Sequence, residues 1–308
     1  MEKKIHDIMI IGGGGAGLTA ALYSSRANLS TILFEKLVPG GQIASTDLVE
    51  NYPGFVEGVL GPEIAQKMED QAVRYGTQVI CEEVKKLRLK GDNFEAVTDA
   101  SVYAARAVIL AMGASYRTLG VANEKEFTGK GVSYCATCDG AFFKGKKVIV
   151  VGGGDSALQE GLFLTRFAET VTVVHRRDAL RASPILQERA RNNPKMSFIW
   201  DTVVDKIEGN GKVEAVLLKN VKTKEVRLED TEGVFIFVGH DPNSQLAKDF
   251  VTLDEKGYVV TNAAFAASLR GVFVAGEVRQ GAVRQLVAAC GEGCGAALAA
   301  QAYLDDHR

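Results

Sequence analysis

Residues 7–17 read Asp7-Ile-Met-Ile-Ile-Gly-Gly-Gly-Gly-Ala-Gly17, an apolar run that passes directly into a glycine-rich loop. Such a short, uninterrupted apolar run is typical of a strand buried on both faces of a parallel sheet. The loop matches G-x-G-x-x-G from Gly12, a pattern that lets the backbone approach a pyrophosphate at the start of a helix. The spacing predicts that helix over Leu18–Arg26 and a second strand over Thr31–Glu35.

The second strand ends on an acid, Glu35, which lies 21 residues after Gly14. At this distance a carboxylate can accept hydrogen bonds from ribose hydroxyls. Strand, glycines, helix, strand and acid in this order predict a dinucleotide site. The acid favours a nucleotide with free ribose hydroxyls, so we expect FAD or NAD rather than NADP. The candidate binding residues here are Gly12, Gly14, Gly15, Ala16, Gly17 and Glu35.

The same unit occurs a second time. An apolar strand, Lys147–Val151, is followed by the glycine loop Gly152–Ala157, a predicted helix over Leu158–Arg166 and a strand over Thr170–Val174. Glu35 lies 23 positions after Gly12, and His175, which follows the second strand of the other copy, lies 23 positions after Gly152. The chain therefore contains an internal repeat of a nucleotide-binding unit. The candidate residues of the second loop are Gly152, Gly154, Asp155, Ser156 and Ala157.

The two copies differ at the end of the second strand. Where the first has an acid, the second has His175-Arg176-Arg177, with Arg181 four residues later. A carboxylate would repel a 2′-phosphate, whereas guanidinium groups bind one through charge-assisted hydrogen bonds. The second site should therefore prefer NADPH to NADH, although a solvated basic face is the plain alternative. Together the two units predict FAD in the first site and NADPH in the second.

The bulk composition is compatible with this interpretation. The chain has 308 residues, which favours two domains, and a net charge of −2, which provides no broad basic surface for nucleic acid. No apolar stretch reaches the roughly 18 residues of a membrane span. Five cysteines form a sparse and odd set, unlike a secreted disulfide scaffold. We therefore expect a cytoplasmic protein.

Two thiols lie just before the second glycine loop, in Cys135-Ala-Thr-Cys138-Asp139. A Cys-x-x-Cys pair in a reducing compartment is typical of redox chemistry or metal binding. Beside a hydride source and a flavin, the pair can carry electrons to an outside disulfide, and Asp139 is placed to move the proton that thiol chemistry requires. The alternative is zinc, with Cys290 and Cys294 as a second ligand pair.

Over nearly its whole length the chain resembles the low-molecular-weight, bacterial-type thioredoxin reductases. The motifs that carry the resemblance are Gly12–Gly17, Gly40-Gly41-Gln42, Glu50–Gly54, Cys135–Gly140, Gly152–Ala157, His175–Arg177 with Arg181, Gly239-His240 and Arg284-Gln285. The resemblance implies an α/β fold with two Rossmann-like domains. An NADPH domain, residues 118–243, would be inserted into a discontinuous FAD domain formed by residues 1–117 and 244–308.

The resemblance also implies roles for individual residues. Cys138 would lie against the flavin and Cys135 would exchange with thioredoxin, and the protein would be a homodimer. The further FAD-binding residues implied are Gly41, Gln42, Asn51, Gly276, Glu277, Arg284 and Gln285. At Glu277 the chain departs from the family, which has an aspartate that binds the ribitol chain of the flavin. The longer side chain requires the following loop to shift or the ribitol contact to change.

Three hypotheses for the function follow. The first is reduction of thioredoxin by NADPH through FAD and the Cys135/Cys138 pair. The second is the same chemistry with another acceptor, such as another thioredoxin-like protein, a peroxiredoxin or a small disulfide. The third is a redox sensor that holds the nucleotides without turnover, a class that does not require a dithiol and an adjacent acid.

Overall fold

The computed structural model describes residues 4–46, 48–49 and 51–307. Glu50, part of one motif quoted above, lies outside these residues. By their contacts the described residues form two compact units. The first contains the residues up to Ser115 together with those from Asp241 onward, and the second contains Tyr116–His240. The second unit is therefore an insertion into the first.

The elements of the described residues follow one another along the chain. The strands are β1 (Ile5–Ile11), β2 (Thr31–Phe34), β3 (Leu48–Val49), β4 (Val59–Leu60), β5 (Gln78–Ile80), β6 (Lys86–Lys90), β7 (Asn93–Val97), β8 (Val102–Leu110), β9 (Ala114–Tyr116), β10 (Val132–Ser133), β11 (Lys147–Val151), β12 (Thr170–Val174), β13 (Met196–Ile199), β14 (Thr202–Gly209), β15 (Val213–Asn220), β16 (Val226–Asp230), β17 (Gly233–Ile236), β18 (His240–Pro242) and β19 (Val272–Val274). The helices are α1 (Gly15–Arg26), α2 (Gly61–Arg74), α3 (Glu124–Phe127), α4 (Ala136–Asp139), α5 (Asp155–Leu164), α6 (Pro184–Arg191) and α7 (Leu286–Asp305). Short 3₁₀ turns lie at Gly41–Ser45, Gly140–Phe143 and Gln245–Ala247.

The first unit is organised on a sheet in the order β5-β2-β1-β8-β7-β6, with β19 also paired to β8. Strands β5, β2, β1, β8 and β19 are parallel, and β6 and β7 form an antiparallel extension. Strand β1 lies between β2 and β8, so the strand order reverses at β1. Open α/β sheets bind their ligands beyond the carboxyl end of the strands at such a reversal.

The apolar run of β1 is buried on both faces of this sheet. Ile8 and Ile10 pack with residues of α1 and α7. Met9 and Ile11 point to the opposite face, where they pack with residues of β7 and of the segment after β18. Successive side chains of a strand alternate between faces, so both sets must be apolar when helices and loops cover both sides. The burial explains why the sequence shows no alternation here.

The second unit repeats the arrangement with its own core. Its parallel sheet has the order β10-β17-β11-β12-β13. Val148 and Val150 pack on one face, and Ile149 and Val151 on the other. An antiparallel sheet of β14, β15 and β16, which the sequence analysis did not predict, joins the second face. The predicted α/β class with two Rossmann-like units is confirmed.

Local predictions differ from the structure in two respects. Both fingerprint helices begin earlier than predicted, at Gly15 and Asp155, because the last residues of each glycine loop already form the first helical turn. Cys81, which ends the region of β5, reads from the sequence as a buried small apolar residue. That prediction is wrong: Cys81 is exposed, because β5 is the edge strand of its sheet and ends one residue earlier. Within the described ranges, no helix is both long and apolar enough to cross a bilayer.

Candidate active site

The first glycine loop has room for backbone only on its inner side. Gly12 has φ +106°, and a Cβ built on it would lie 2.3 Å from the carbonyl oxygen of Ala111. A Cβ on Gly17 would lie 1.8 Å from the carbonyl oxygen of Gly12, so α1 could not approach β1 as closely. A Cβ on Gly14, by contrast, meets no atom within 4 Å. The open side of the loop therefore lies over Gly14, at the start of α1, where a pyrophosphate is stabilised.

Glu35 lies directly beside this loop. The N–H of Gly13 donates to Glu35 Oε2 at 2.9 Å, and the N–H of Lys36 donates to Glu35 Oε1 at 2.8 Å. These donors, with the N–H of Leu37 at 3.4 Å from Oε1, hold the carboxylate at the end of β2. The sequence distance between acid and glycines corresponds to a direct contact in space.

A second glycine pair packs against the loop from the segment after β2. The N–H of Gly40 donates to the carbonyl oxygen of Gly13 at 2.7 Å. Gly41 has φ +57°, and a Cβ built on it would lie 3.2 Å from Gly14 Cα. The next side chain, Gln42, donates from Nε2 to the carbonyl oxygen of Ala114 at 2.5 Å. This segment brings Gly41 and Gln42 to the open side of the fingerprint.

Glu277 is a partly buried acid, and one of its two oxygens lacks a partner among the described residues. Its Oε2 atom is buried and accepts no hydrogen bond from the described residues. Burial raises the pKa of its carboxyl above the ordinary value, although the charge of Arg284 and a hydrogen bond with Gln42 act in the opposite direction. Unpaired buried polar atoms are uncommon and indicate a missing partner. A polyol chain, such as the ribitol of FAD, supplies the hydroxyl donors that this oxygen lacks.

The remaining candidates of the first unit, Asn51, Arg284 and Gln285, lie at or near the start of α7 or contact residues there. Asn51 Nδ2 donates to Gln285 Oε1 at 3.0 Å, and Arg284 donates to the Tyr258 hydroxyl at 3.3 Å. Helix α7 begins directly after Gln285, and Leu286 fills the space beside Gly15. Contacts within one unit therefore connect Asn51 with Gln285 and the start of α7 with the glycine loop. The open side over Gly14 and the unsatisfied Glu277 Oε2 atom fit FAD.

The second glycine loop repeats this geometry with a different side chain beside it. Gly152 has φ +154°, and a Cβ on it would lie 2.6 Å from the carbonyl oxygen of Phe237. The ring of His175 lies over Gly153, within 2.3–2.7 Å of where a Cβ would be. His175 thus takes the place that Glu35 has over Gly13. Burial lowers the pKa of His175 and the nearby arginine charges lower it further, while a hydrogen bond with the backbone of Ala179 acts in the opposite direction.

Backbone contacts hold the segment that carries Arg181 against the second loop. The N–H of Arg181 donates to the carbonyl oxygen of Gly153 at 2.7 Å. Asp155 Oδ1 accepts the N–H of Ser183 at 2.6 Å. Asp155 therefore acts on the site by holding the backbone just after Arg181. A Cβ on Gly154 meets no atom within 4 Å. As at Gly14, the open side of the loop is left for a ligand.

The arginine cluster beside the second loop keeps its positive charge. Arg176, Arg177 and Arg181 are all exposed. Asp178, between Arg177 and Arg181, forms an ion pair with Lys222 at 3.2 Å, so Lys222 offsets its charge. Three exposed guanidinium groups beside the open side of a glycine loop fit the 2′-phosphate of NADPH.

The Cys-x-x-Cys pair forms a disulfide in the second unit. Cys135 and Cys138 are linked, with their Cα atoms 5.3 Å apart. Ser133 organises the turn: its hydroxyl donates to Asp139 Oδ2 at 2.6 Å and accepts the N–H of Cys135 at 3.1 Å. The predicted proton-transfer residue is therefore tied to the disulfide turn through one hydroxyl group. Both cysteines are partly accessible.

The sequence analysis missed one residue of this turn, Glu160. Its side chain extends from the middle of α5, and Oε2 accepts the N–H of Ala136 at 3.2 Å. It also accepts the N–H of Thr137. Burial raises the pKa of the Glu160 carboxyl, and these two donors oppose the shift. No spacing in the sequence links Glu160 to the cysteines, since the contact depends on which face of α5 meets the turn.

The other cysteine pair, proposed above as the second half of a zinc site, lies on α7 in the first unit. Cys290 is buried, and its thiol forms hydrogen bonds with the side-chain hydroxyls of Thr19 and Tyr52. Burial raises the pKa of this thiol. In the part of the chain that the structure describes, no three His, Cys, Asp or Glu side chains are grouped to hold a metal ion.

Comparison with known proteins agrees with the geometry. The family model for pyridine nucleotide-disulphide oxidoreductases matches residues 6–293. A thioredoxin reductase from Bacillus subtilis (strain 168) is 50% identical over 307 residues, which is 99% of this chain and 96% of that protein. A bifunctional thioredoxin reductase/thioredoxin from Mycobacterium leprae (strain TN) is 47% identical over 99% of this chain and 67% of its own length. The solved thioredoxin reductase of Streptococcus pyogenes MGAS5005 has 46% identity and a TM-score of 0.93, with 98% of this chain and 99% of that one covered.

Proposed function

The chain belongs to the pyridine nucleotide-disulphide oxidoreductase family and, within it, to the thioredoxin reductases, and we propose that it uses NADPH to reduce the disulfide of thioredoxin. The observation that carries the proposal is the closed Cys135–Cys138 disulfide, in a chain with two nucleotide loops. The loops are flanked by opposite charges, Glu35 in one and the arginines after His175 in the other. A nucleotide-binding module without turnover does not account for the disulfide.

The proposal assigns one cofactor to each unit. FAD is held in the first unit by the Gly12–Gly17 loop, Glu35, Gln42 and Glu277. NADPH is held in the second unit by the loop and arginines listed above. The corresponding domains are residues 1–117 with 244–308, and residues 118–243. When bound, the two cofactors supply the hydride and electron-transfer chemistry that a disulfide reduction requires.

The residues of the redox turn perform the exchange. Two electrons and two protons convert the disulfide to two thiols, and a thiolate of the pair attacks the disulfide of thioredoxin to give a mixed disulfide. The second thiolate then attacks the mixed bond, releases reduced thioredoxin and restores Cys135–Cys138. Asp139, held by Ser133, lies in the same turn as the thiols and is the residue proposed to move the proton.

The partner of this exchange is proposed to be thioredoxin itself. The relative from Mycobacterium leprae is named a bifunctional thioredoxin reductase/thioredoxin. Another thioredoxin-like protein, a peroxiredoxin or a small disulfide is the alternative acceptor, since the exchange chemistry is the same. A cytoplasmic location and a homodimer, both expectations from the sequence, are part of the proposal, and light scattering of the purified protein measures the second.

An acceptor series tests the proposal. We expect NADPH oxidation by the FAD-loaded protein to require a disulfide acceptor, with a far higher kcat/KM for thioredoxin than for a peroxiredoxin or a small aromatic disulfide. A higher kcat/KM for another acceptor would assign the second hypothesis instead. Single Cys→Ser variants assign the two sulfurs: the variant that accumulates a mixed disulfide with thioredoxin retains the sulfur that attacks the partner.

A further inference from the structure

Glu160 contacts the redox turn at the two peptide groups that follow Cys135. Its Oε2 atom lies 3.2 Å from the nitrogen of Ala136, and it also accepts the N–H of Thr137. The contact joins two elements of one unit, α5 and α4. The carboxylate is only partly exposed, so its charge acts on the turn with less screening than a surface charge.

The N–H groups of these two peptides could stabilise a thiolate. Backbone N–H groups and positive charges near a cysteine stabilise its thiolate and lower its pKa. The N–H groups of Ala136 and Thr137 directly follow Cys135 in the chain. In this protein a carboxylate occupies them, so they are not available to a Cys135 thiolate. The carboxylate also adds a negative charge that disfavours a second one nearby.

A disulfide has no charge and therefore does not experience this penalty. Occupation of the donors destabilises the reduced, ionised pair relative to the oxidised pair. The equilibrium between a dithiol and a disulfide sets the reduction potential of the pair. A less stable dithiol is a stronger reductant. Thioredoxin, with a potential of about −270 mV, requires a strong reductant.

We propose that Glu160 is a positioning residue that holds the Cys135–Cys138 turn through the N–H groups of Ala136 and Thr137 and thereby lowers the reduction potential of the pair. The inference rests on the proposed function in one respect: reduction of thioredoxin is the reaction that requires a low reduction potential of the Cys135–Cys138 pair. Two carboxyl groups surround the turn, Asp139 within it and Glu160 from α5. Glu160 binds the peptide groups of Ala136 and Thr137, which lie between the cysteines.

The test is a redox titration of the FAD-loaded protein against defined ratios of reduced and oxidised dithiothreitol, without NADPH or thioredoxin. Alkylation and mass spectrometry count the free thiols of the Cys135–Cys138 peptide. In Glu160→Gln, which keeps the size and an acceptor oxygen, we expect the equilibrium to move toward the dithiol by about tenfold, or about 30 mV for this two-electron couple. Glu160→Ala, which also releases the N–H groups, should move it at least as far.

Glu169→Gln is the matched control, because it removes an exposed charge of the same unit that lies directly before β12. Its potential should equal that of the wild type. The pKa of the more reactive thiol, from the pH dependence of alkylation, should fall in both Glu160 variants. Equal potentials in Glu160→Gln and wild type would overturn the proposal, and Glu160→Gln alone decides it if the alanine variant does not fold. A pair that dithiothreitol reduces normally but that never transfers electrons to thioredoxin would instead contradict the proposed function.

Discussion

Glu35 and His175 occupy equivalent places, each over the second glycine of its loop, yet they present opposite chemistry to a ribose. The carboxylate of Glu35 is fixed by the N–H groups of Gly13 and Lys36. Burial lowers the pKa of the His175 ring, and the positive charge in its copy comes from the arginines that follow it. One side-chain position thus carries an acid in one loop and an imidazole in the other, on the same backbone geometry.

The arginine cluster supports a direct prediction. Replacing Arg176, Arg177 and Arg181 with Ala removes charge-assisted hydrogen bonds worth about 1.5–3 kcal/mol each. We expect KM for NADPH to rise by more than about tenfold, while KM for NADH stays within about threefold. Steady-state kinetics with both nucleotides measures this. Arg227→Ala, on the exposed strand β16, is the control, and an equal loss for NADH would remove the 2′-phosphate from the account.

Replacing Glu277 should have opposite effects on the stability of the FAD-free protein, which should rise, and on the affinity for FAD, which should fall. The raised pKa of its carboxyl means that ionisation is less favourable in the folded protein than in the unfolded chain. The resulting loss of stability is absent below the unfolded value near 4.5 and develops as the pH rises through the folded value. Glu277→Gln should therefore raise the melting temperature of the FAD-free protein at pH 7.5 and leave it unchanged near pH 4.

The same variant should weaken FAD binding by about tenfold, because a neutral amide replaces a charged acceptor of hydroxyl groups. Fluorescence titration of the FAD-free protein measures the dissociation constant. Glu255→Gln, an exposed acid in the same unit, is the control for charge. Unchanged FAD affinity in Glu277→Gln would remove Glu277 from the binding site.

At the scale of elements, the first glycine loop depends on how closely α7 approaches α1. Gly293 of α7 lies against the backbone of α1, and a Cβ on it would be 2.2 Å from the carbonyl oxygen of Ala16. Gly291, two residues earlier in the same helix, has nothing within 4 Å of its Cβ position. The helix therefore contains a glycine that packing requires and one that it does not.

These two glycines form a matched pair. We expect Gly293→Ala to destabilise the protein by about 1–3 kcal/mol, as overpacking does, and to weaken FAD binding because Ala16 belongs to the loop. Gly291→Ala should stabilise it by about 0.5–1 kcal/mol through helix propensity. Urea unfolding of both variants checks the two signs, and equal effects would show that α7 does not restrict the loop.

At the scale of the whole molecule, the features that can be predicted from the sequence are those set by residues close together in the chain. Both β–loop–α–β units could be predicted because a strand buried on both faces has a continuous apolar run and the turn requires glycines. The sheet of β14–β16 lacks a continuous apolar run of this kind in β16, one of its two edge strands, which is largely exposed. The exposure of Cys81 depends on β5 being an edge strand. The role of Glu160 depends on a contact between α5 and a turn before it in the chain, which no spacing encodes.

The two units together carry the central claim, that electrons from NADPH leave the protein through Cys135 and Cys138. The most direct measurement is NADPH oxidation with oxidised thioredoxin as acceptor, for the wild type and for the Cys135→Ser/Cys138→Ser double variant, both loaded with FAD. The account predicts one thioredoxin disulfide reduced per NADPH in the wild type. The double variant should retain FAD and reduce no thioredoxin. Thioredoxin reduction at the wild-type rate by the double variant would contradict the account.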